Sequence, residues 1–147
     1  MSPENVEIVR RVLDLMQEGV RSHDVRTAID EGIAAGLISP ECEVRGGRRG
    51  GASVVGLGDE VGREGMVDFM RTWAEDFSDF AFEAEEVIDA GENGVLATQR
   101  QAATGRASGA PVEMHTATIF RLESRRVVCI EIFVNPAEAL EAAGLRE

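Results

Sequence analysis

The sequence predicts an α+β domain in which helices pack on one face of a mostly antiparallel sheet. Helical apolar periodicity is confined to the first half of the chain, and strand-like alternation fills most of the second half. Because helices and strands are segregated rather than alternating, we do not expect a doubly wound parallel sheet. A long twisted sheet with helices on one face curls around them, so a cavity is expected inside the curve.

Length and charge limit the classes of protein that this chain can belong to. The 147 residues suffice for one domain, so we expect residues 1–147 to form a single unit with its own core. A formal net charge of −12 argues against binding to nucleic acid or to an anionic membrane. The sequence contains no apolar run of ~20 residues, and the polar N-terminus does not resemble a signal peptide. Two cysteines, Cys42 and Cys129, are too few for a disulfide framework, so we expect a reducing, cytoplasmic setting.

Three helices are predicted before the main run of strands. The first extends from Pro3 to about Gly19, with apolar residues three and four positions apart. The second begins at Asp24 and is ended by Pro40, and the third extends from about Arg63 to Phe77. Between the last two, the glycine-rich stretch Gly46–Gly62 is predicted to be a long mobile loop.

Strand patterns dominate the rest of the chain. They cover about Glu41–Arg45, Phe80–Ile88, Val95–Thr104, Val112–Leu122 and Val127–Val134. The alternation breaks phase at Glu86–Ile88, which predicts a β-bulge. An Asn-Pro-Ala-Glu sequence at 135–138 predicts a short C-terminal helix that ends near Gly144.

Four segments resemble the SnoaL-like branch of the NTF2-like superfamily. They are Glu4–Arg11, Val61–Gly65, Glu86–Gly91 and Asn135–Leu145. The resemblance covers nearly the whole chain and implies an NTF2-like cone, with three N-terminal helices on a curved sheet and a short C-terminal helix. The stretch Gly19–Gly62 departs from the family, which usually has a shorter, aromatic-containing segment here. The cone hosts isomerases, cyclases, hydrolases and non-catalytic binders, so the resemblance implies a pocket rather than one reaction.

The resemblance also allows the active sites of relatives to be compared with this chain. Limonene epoxide hydrolase-like members use an Arg flanked by two Asp; Arg100 takes the Arg position, while Ala102 and Ile132 take the carboxylate positions. Ketosteroid isomerase-like members use a Tyr and an Asp base, whereas this chain has no Tyr and only a loose counterpart of the base at 43–45. SnoaL-type cyclases use a pocket Asp, and none lies on the predicted inward face of the last three strands. We therefore expect no recognisable acid–base pair.

Arg100 is the polar residue that we predict to contact the ligand. It shares one strand face with Thr98 and Ala102, and this face is predicted to point into the cavity. A guanidinium there would anchor a ligand carboxylate or phosphate, because its fork geometry suits both groups. The alternative is a salt bridge at the pocket rim or a solvent-exposed side chain.

His115 is a candidate general base, with Glu113 or Glu131 as a possible assistant. Strand alternation, however, places His115 on the opposite face from Met114 and Thr116. Since those two are predicted to face the cavity, His115 is expected on an outer surface.

The predicted ligand contacts come from one helix and three strands. They are Met66, Phe69 and Trp73 on the third helix, Thr98 and Arg100 on the second long strand, Met114, Thr116, Thr118 and Phe120 on the third, and Ile132 on the fourth. This mostly apolar set is typical of a small-molecule site. No cofactor or metal is predicted, because the two His and the two Cys residues are too far apart in the sequence to suggest a ligand set. The glycine pattern at 54–62 evokes a dinucleotide loop but lacks repeated strand–helix–strand units around it.

Two functions remain open at this point. The first is a pocket protein that binds a small hydrophobic ligand, with or without an anionic group, and has no acid–base pair of its own. The alternative is a SnoaL-like isomerase, cyclase or hydrolase acting on a polyketide- or terpenoid-like substrate; a purely dimeric interaction module is a weaker third option. In each case we expect a homodimer, because outer sheet residues such as Ala117, Ile119, Ile130 or Cys129 would need covering.

Overall fold

The structure is a computed structural model that describes residues 3–46, 60–75, 77–91, 93–105, 107–133 and 136–144. Its elements in these ranges are α1 (Pro3–Ser22), α2 (Val25–Ala34), β1 (Ile38–Gly46), β2 (Glu60–Val61), α3 (Gly62–Glu75), β3 (Phe77–Asp89), β4 (Gly94–Gly105), β5 (Pro111–Glu123), β6 (Arg126–Phe133) and α4 (Pro136–Ala142). The predicted order of elements is confirmed. Most of the predicted mobile loop, Gly46–Gly62, lies outside the described residues, as does the predicted helix cap Asn135.

The strands form one sheet in the order β2-β1-β6-β5-β4-β3. Every neighbouring pair is antiparallel except β1 and β6, which run parallel. The predicted bulge is confirmed by a register shift between Ala84 and Glu86 of β3, and a second shift lies between Ser78 and Ala81. Bulges increase local twist, so they help the sheet to curve around the helices. None of the described helices is long and apolar enough to span a membrane.

Gly19 was expected to end α1, but the helix continues to Ser22. A Cβ atom placed on Gly19 would lie 2.8 Å from the Cβ of Ala28 in α2. The glycine therefore allows the two helices to approach closely, and its role is in packing rather than in helix termination. The chain reverses four residues later, where His23 adopts a φ of 61° and Asp24 caps α2 by accepting from the Thr27 amide.

Pro40 was expected to end the second helix, but it lies inside β1. The helix α2 ends at Ala34, and Gly36 then adopts the left-handed φ of 76° that is common after helix ends. The proline is tolerated in the strand because the β1–β6 ladder is irregular between Ile38 and Glu43.

Among the described residues, two apolar clusters pack on opposite faces of the sheet. The main core lies between the inner sheet face and the three N-terminal helices, and it includes the fully buried Val12, Ile29, Val67 and Phe120. Burial of each such side chain stabilises the fold by ~1.5–3 kcal/mol. The helices therefore dock on the inner face through apolar packing.

The outer cluster lies under α4, whose Ala139 is fully buried in one cluster with Leu96 and Ile119. This finding corrects the expectation that a second subunit is needed to cover Ala117 and Ile119, since both belong to the cluster at α4. Ile130 belongs to the inner core instead. The small side chain of Ala139 allows the short C-terminal helix to pack closely on this part of the sheet.

An ion-pair network ties α2 to the start of α3. Arg63 Nη2 donates to Asp30 Oδ2 at 2.9 Å, and Arg26 donates to both carboxylate oxygens of Glu64 at 2.7 and 3.0 Å. The hydrogen bond from Arg63 is the largest cause that lowers the Asp30 pKa, and the bond from Arg26 is the largest that lowers the Glu64 pKa. The network therefore favours ionised carboxylates in the folded state.

We expect Arg63→Met to make folding less sensitive to acid. A carboxyl pKa lowered by folding stabilises the protein above the unfolded pKa, near 3.8 for Asp30, and this stabilisation is lost as pH falls through the folded value. The free energy of unfolding of the wild type should therefore exceed that of the variant at pH 7, and the two should converge in strong acid. Urea unfolding at several pH values measures this. Arg21→Met is the control, because the described partner of Arg21 is Glu18 in the same helix. A difference that is the same at every pH would contradict the prediction.

Candidate ligand-binding cavity

A cavity of about 90 Å³ lies between the helices and the inner face of the sheet and is partly open to solvent. The described residues that line it are Met16, Val20, Val44, Met66, Phe69, Met70, Phe82, Gln99, Gln101, Thr118, Phe120, Ile130 and Ile132. An engineered cavity of ~150 Å³ holds benzene, so this smaller cavity must expand to hold a ring-sized ligand. Methionines can change rotamer at little cost, so their three side chains allow this space to adapt to a ring-sized ligand.

Helices α1 and α3 supply the methionine side of the cavity. The residues Met16 and Val20 lie one turn apart on α1, and Met66 and Met70 have the same spacing on α3, so each pair shares one helix face. The sheet supplies the opposite wall through alternate residues of its central strands. The cavity therefore follows from two helical stripes facing one strand face.

A small polar network crosses the sheet wall. Gln101 Nε2 donates to Thr116 Oγ1 at 2.8 Å, while the hydroxyls of Thr116 and Thr118 donate to Gln99 Oε1 at 3.4 and 3.0 Å. All four side chains are at most 9% exposed. Buried polar groups are costly unless they are hydrogen-bonded, and this network supplies partners for the Gln99 oxygen, the Gln101 NH₂ group and both hydroxyls.

The structure brings half of the sequence-predicted residues together at the cavity. Those that line it are Met66, Phe69, Thr118, Phe120 and Ile132. Thr116 is buried beside it in the polar network, and Met114 is half-buried but is not among the lining residues. Trp73 lies on α3, and its side chain falls outside the described part of the chain.

Arg100 lies on the outer face of the sheet, which corrects the predicted direction of its side chain. Its Nη1 donates to Glu113 Oε2 at 2.9 Å, and its Nη2 donates to Glu83 Oε1 at 3.0 Å. These bonds raise the pKa of Arg100, with the bond to Glu83 as the larger cause. Thr98 shares this face, because it pairs with Ala117 of the outer cluster.

The register of β4 explains the correction. Val95 and Ala97 pair with the inward-facing Phe120 and Thr118, so odd-numbered residues of β4 face the cavity. In the sequence, the glutamines at 99 and 101 look solvent-exposed and Leu96 looks inward-facing. Leu96 is instead buried on the outer face, in the cluster at α4.

Sequence reasoning missed eight lining residues, which are Met16, Val20, Val44, Met70, Phe82, Gln99, Gln101 and Ile130. The apolar stripes of α1 and α3 contained the signal for Met16, Val20 and Met70. The glutamines carried no such signal, because polar residues on a strand usually face water.

The described lining of the cavity contains no carboxylate, imidazole, thiol or cationic side chain. Cys42 is fully buried in the main core, where burial raises the pKa of its thiol to about 12. His115 lies on the outer face, as expected, with Nδ1 3.1 Å from Glu85 Oε1. Within the described ranges, no group of three or more His, Cys, Asp or Glu side chains could hold a metal ion.

These features define a pocket-bearing α+β protein of the NTF2-like cone type, with an apolar cavity between three helices and a curved sheet. The chain belongs to the SnoaL-like domain family, whose model matches residues 9–130. The sequence-based assignment to this branch of the NTF2-like superfamily is therefore confirmed. No curated protein sequence matches the chain.

Solved structures of similar proteins share the fold over nearly their full length. A candidate SnoaL-like polyketide cyclase from Jannaschia sp. CCS1 is 18% identical, with a TM-score of 0.68, over 100% of this chain and 98% of that one. An NTF2-like protein of unknown function from Burkholderia pseudomallei is 22% identical, with a TM-score of 0.67 and coverages of 96% and 97%. TerC, crystallised with polyporic acid, is 17% identical, with a TM-score of 0.66 and coverages of 96% and 98%. At these identities the likeness concerns the fold.

The outer position of Arg100 leads to a testable expectation. Arg100→Met should leave the binding of a neutral ligand unchanged, because the guanidinium is held by Glu83 and Glu113 on the face away from the cavity. Titration of wild type and variant with acetophenone, followed by NMR, measures the two dissociation constants. A several-fold loss of affinity in a folded variant would mean that Arg100 contacts the ligand, contrary to its position on the outer face.

Proposed function

We propose that this protein binds a small, mostly apolar molecule in the cavity described above, and that it does so without an acid–base pair of its own. The observation that carries the proposal is the lining itself, in which apolar side chains surround a small polar wall formed by Gln99, Gln101 and Thr118. Small-molecule sites typically have this composition, with a few placed polar groups that fix orientation.

A neutral ligand fits the site better than the anionic one considered from the sequence. Arg100 was the expected anchor for an anion, and it is paired with two carboxylates on the outer face. The described lining offers no other cation, and the net charge of −12 repels anions at long range. An ionised ligand group would therefore enter the cavity without a countercharge, which is unfavourable.

A SnoaL-like isomerase, cyclase or hydrolase is the competing function. Such chemistry needs a group that exchanges a proton with the substrate, and that group must lie within hydrogen-bond reach of it. The side chains known to line this cavity offer amides and hydroxyls only as polar groups. Family membership supports both functions, and the TerC complex with polyporic acid supports a role for the cavity in holding a small molecule.

Binding can be tested with two small probes of nearly the same shape, acetophenone and α-methylstyrene. Three of the five methionines of the chain line the cavity, so the methyl signals of Met16, Met66 and Met70 in ¹³C-methyl-labelled protein report on occupancy. We expect both probes to shift these signals saturably. Absence of any shift at millimolar probe would contradict the proposed function.

A blocking variant and its neighbour provide the control. Ile132 is half-buried and lines the cavity, so Ile132→Trp should fill the space and abolish the shifts. Glu131 is the adjacent residue on the same strand and points to the other face, so Glu131→Trp should leave them intact. Equal effects of the two substitutions would mean that the probes bind elsewhere.

We also propose that residues 1–147 act as one domain, that the chain forms a homodimer, and that it works in the cytoplasm.

The outer face beyond α4 supports the dimer, since Glu83, Arg100 and Glu113 place both charge signs on one face of neighbouring strands. A two-fold axis could exchange these ion pairs between subunits. Light scattering at micromolar concentration should give twice the 15.9 kDa of one chain, and a monomer would contradict the dimer.

A further inference from the structure

The amide oxygen of Gln99 is occupied by hydrogen bonds from neighbouring residues of the sheet. The residue is only 7% exposed, and its Oε1 accepts hydrogen bonds from Thr118 at 3.0 Å and from Thr116 at 3.4 Å. An amide oxygen has two lone pairs, so these two bonds satisfy its acceptor capacity.

The hydrogen bonds of this network assign the oxygen of Gln99 to the threonines and its NH₂ group to the cavity side. Gln101 Nε2 donates to Thr116 Oγ1 at 2.8 Å, which leaves the Thr116 hydroxyl hydrogen free to donate to Gln99. The oxygen of Gln99 therefore points to the threonines, and its NH₂ group points the other way. Among the described residues, Gln99 Nε2 donates to no protein group. Every fully buried side-chain nitrogen of these residues has a hydrogen-bond partner, so Gln99 Nε2 must keep some accessible surface. The NH₂ group is thus reached from the cavity.

An amide donor in an apolar cavity needs an acceptor, because an unsatisfied buried donor is costly. The described side chains facing it are mainly methionine, phenylalanine and aliphatic groups, which are poor acceptors or none. A carboxylate acceptor on the ligand is disfavoured, since the described lining supplies no cation to balance its charge.

We propose that Gln99 recognises a neutral carbonyl oxygen of the ligand, so that the site selects ketones or quinones over hydrocarbons of the same shape. This inference rests on the proposed function, because it concerns the ligand of the same cavity. Gln99 thereby sets the orientation of the ligand, with the carbonyl at the sheet wall and the apolar body among the methionines. The buried threonines hold the amide in this direction.

The test compares acetophenone, which has a carbonyl, with α-methylstyrene, which has a methylene group in its place. The quantity measured is the change in each dissociation constant on Gln99→Met, because comparing the variant with the wild type cancels the different hydration of the probes. We expect the substitution to weaken acetophenone binding roughly three- to ten-fold, as for loss of one hydrogen bond. Binding of α-methylstyrene should stay the same or improve.

The matched control is Gln101→Met, the same substitution two residues along the same strand face. The Nε2 group of Gln101 already donates to Thr116, so this variant should change both affinities in parallel. If both variants lose the same amount of affinity for acetophenone relative to α-methylstyrene, the role of Gln99 is overturned. If Gln99→Met leaves the ratio of the two dissociation constants unchanged, the role of Gln99 is overturned as well, and water rather than the ligand accepts the hydrogen bond of the amide.

A measurement on the wild type keeps the inference testable if Gln99→Met does not fold. The side-chain NH₂ signals of Gln99 should move downfield with acetophenone and not with α-methylstyrene, because only the ketone accepts a hydrogen bond. Identical shifts with both probes would overturn the inference while the methionine signals still report binding. If neither probe shifts the methionine signals, the proposed function fails, and the inference fails with it.

Discussion

Phe120→Ala is expected to lower the free energy of unfolding by about 3–5 kcal/mol. Phe120 is 1% exposed, belongs to the main core and also lines the cavity. Removal of the ring deletes its packing against the core and joins the vacated space to an existing cavity, so the surroundings cannot easily collapse to fill it. Urea unfolding measures the loss, and the probe titrations should show that larger ring systems now bind.

Phe82→Ala is the matched control for this prediction. Phe82 also lines the cavity but is only half-buried and packs at the edge of the main core. Phe82→Ala should lower the free energy of unfolding by less than half as much as Phe120→Ala, because part of the Phe82 side chain is already in contact with water. Equal losses for the two phenylalanines would mean that the core does not extend to the cavity wall in the way described.

Ala139→Arg is expected to destabilise the fold by about 3 kcal/mol, because it combines overpacking with a buried charge. Ala139 has no exposed surface and lies in one cluster with Leu96, Ile119 and Phe133. The arginine cannot be accommodated there, so α4 should detach and expose these apolar side chains. Chemical denaturation measures the stability, and binding of a hydrophobic dye reports the exposed cluster.

Glu141→Arg provides the control for this prediction on the same helix. Glu141 is exposed, so the same new residue two positions away should leave stability and dye binding nearly unchanged. Equal effects would indicate that the change in charge, rather than the loss of α4 packing, destabilises the protein.

The order of the elements followed from the sequence because periodicity reflects burial on one face. The bulge in β3 was visible as a phase break, and the second helix was expected to begin at Asp24, which the structure shows as its N-cap. The end of α1 was not, because Gly19 is a packing glycine, and its role depends on the neighbouring Ala28. A single sequence does not distinguish a glycine that ends a helix from one that lets a second helix approach.

The helix side of the cavity was easier to predict than its sheet side. Met66 and Phe69 follow from one apolar stripe, whereas the facing residues of β4 depend on strand register. The sequence could not reveal that α4 covers part of the outer face, and this covering is what allows the apolar Leu96 to face outward. The direction of Arg100 was predicted wrongly because it lies on the same strand face as Leu96, and this face was taken to point inward.

The pairing of β1 with β6 has a consequence for how the protein folds during synthesis. Val44 pairs with Ile130, so one wall of the cavity joins strands that are far apart in the sequence, with α3 and β2–β5 between them. Such non-local pairing forms late, since the long intervening segment must first be brought together. A nascent chain therefore holds its three helices without a complete inner sheet until β6 leaves the ribosome, and during that interval its methionine-rich helix faces are a natural surface for chaperones.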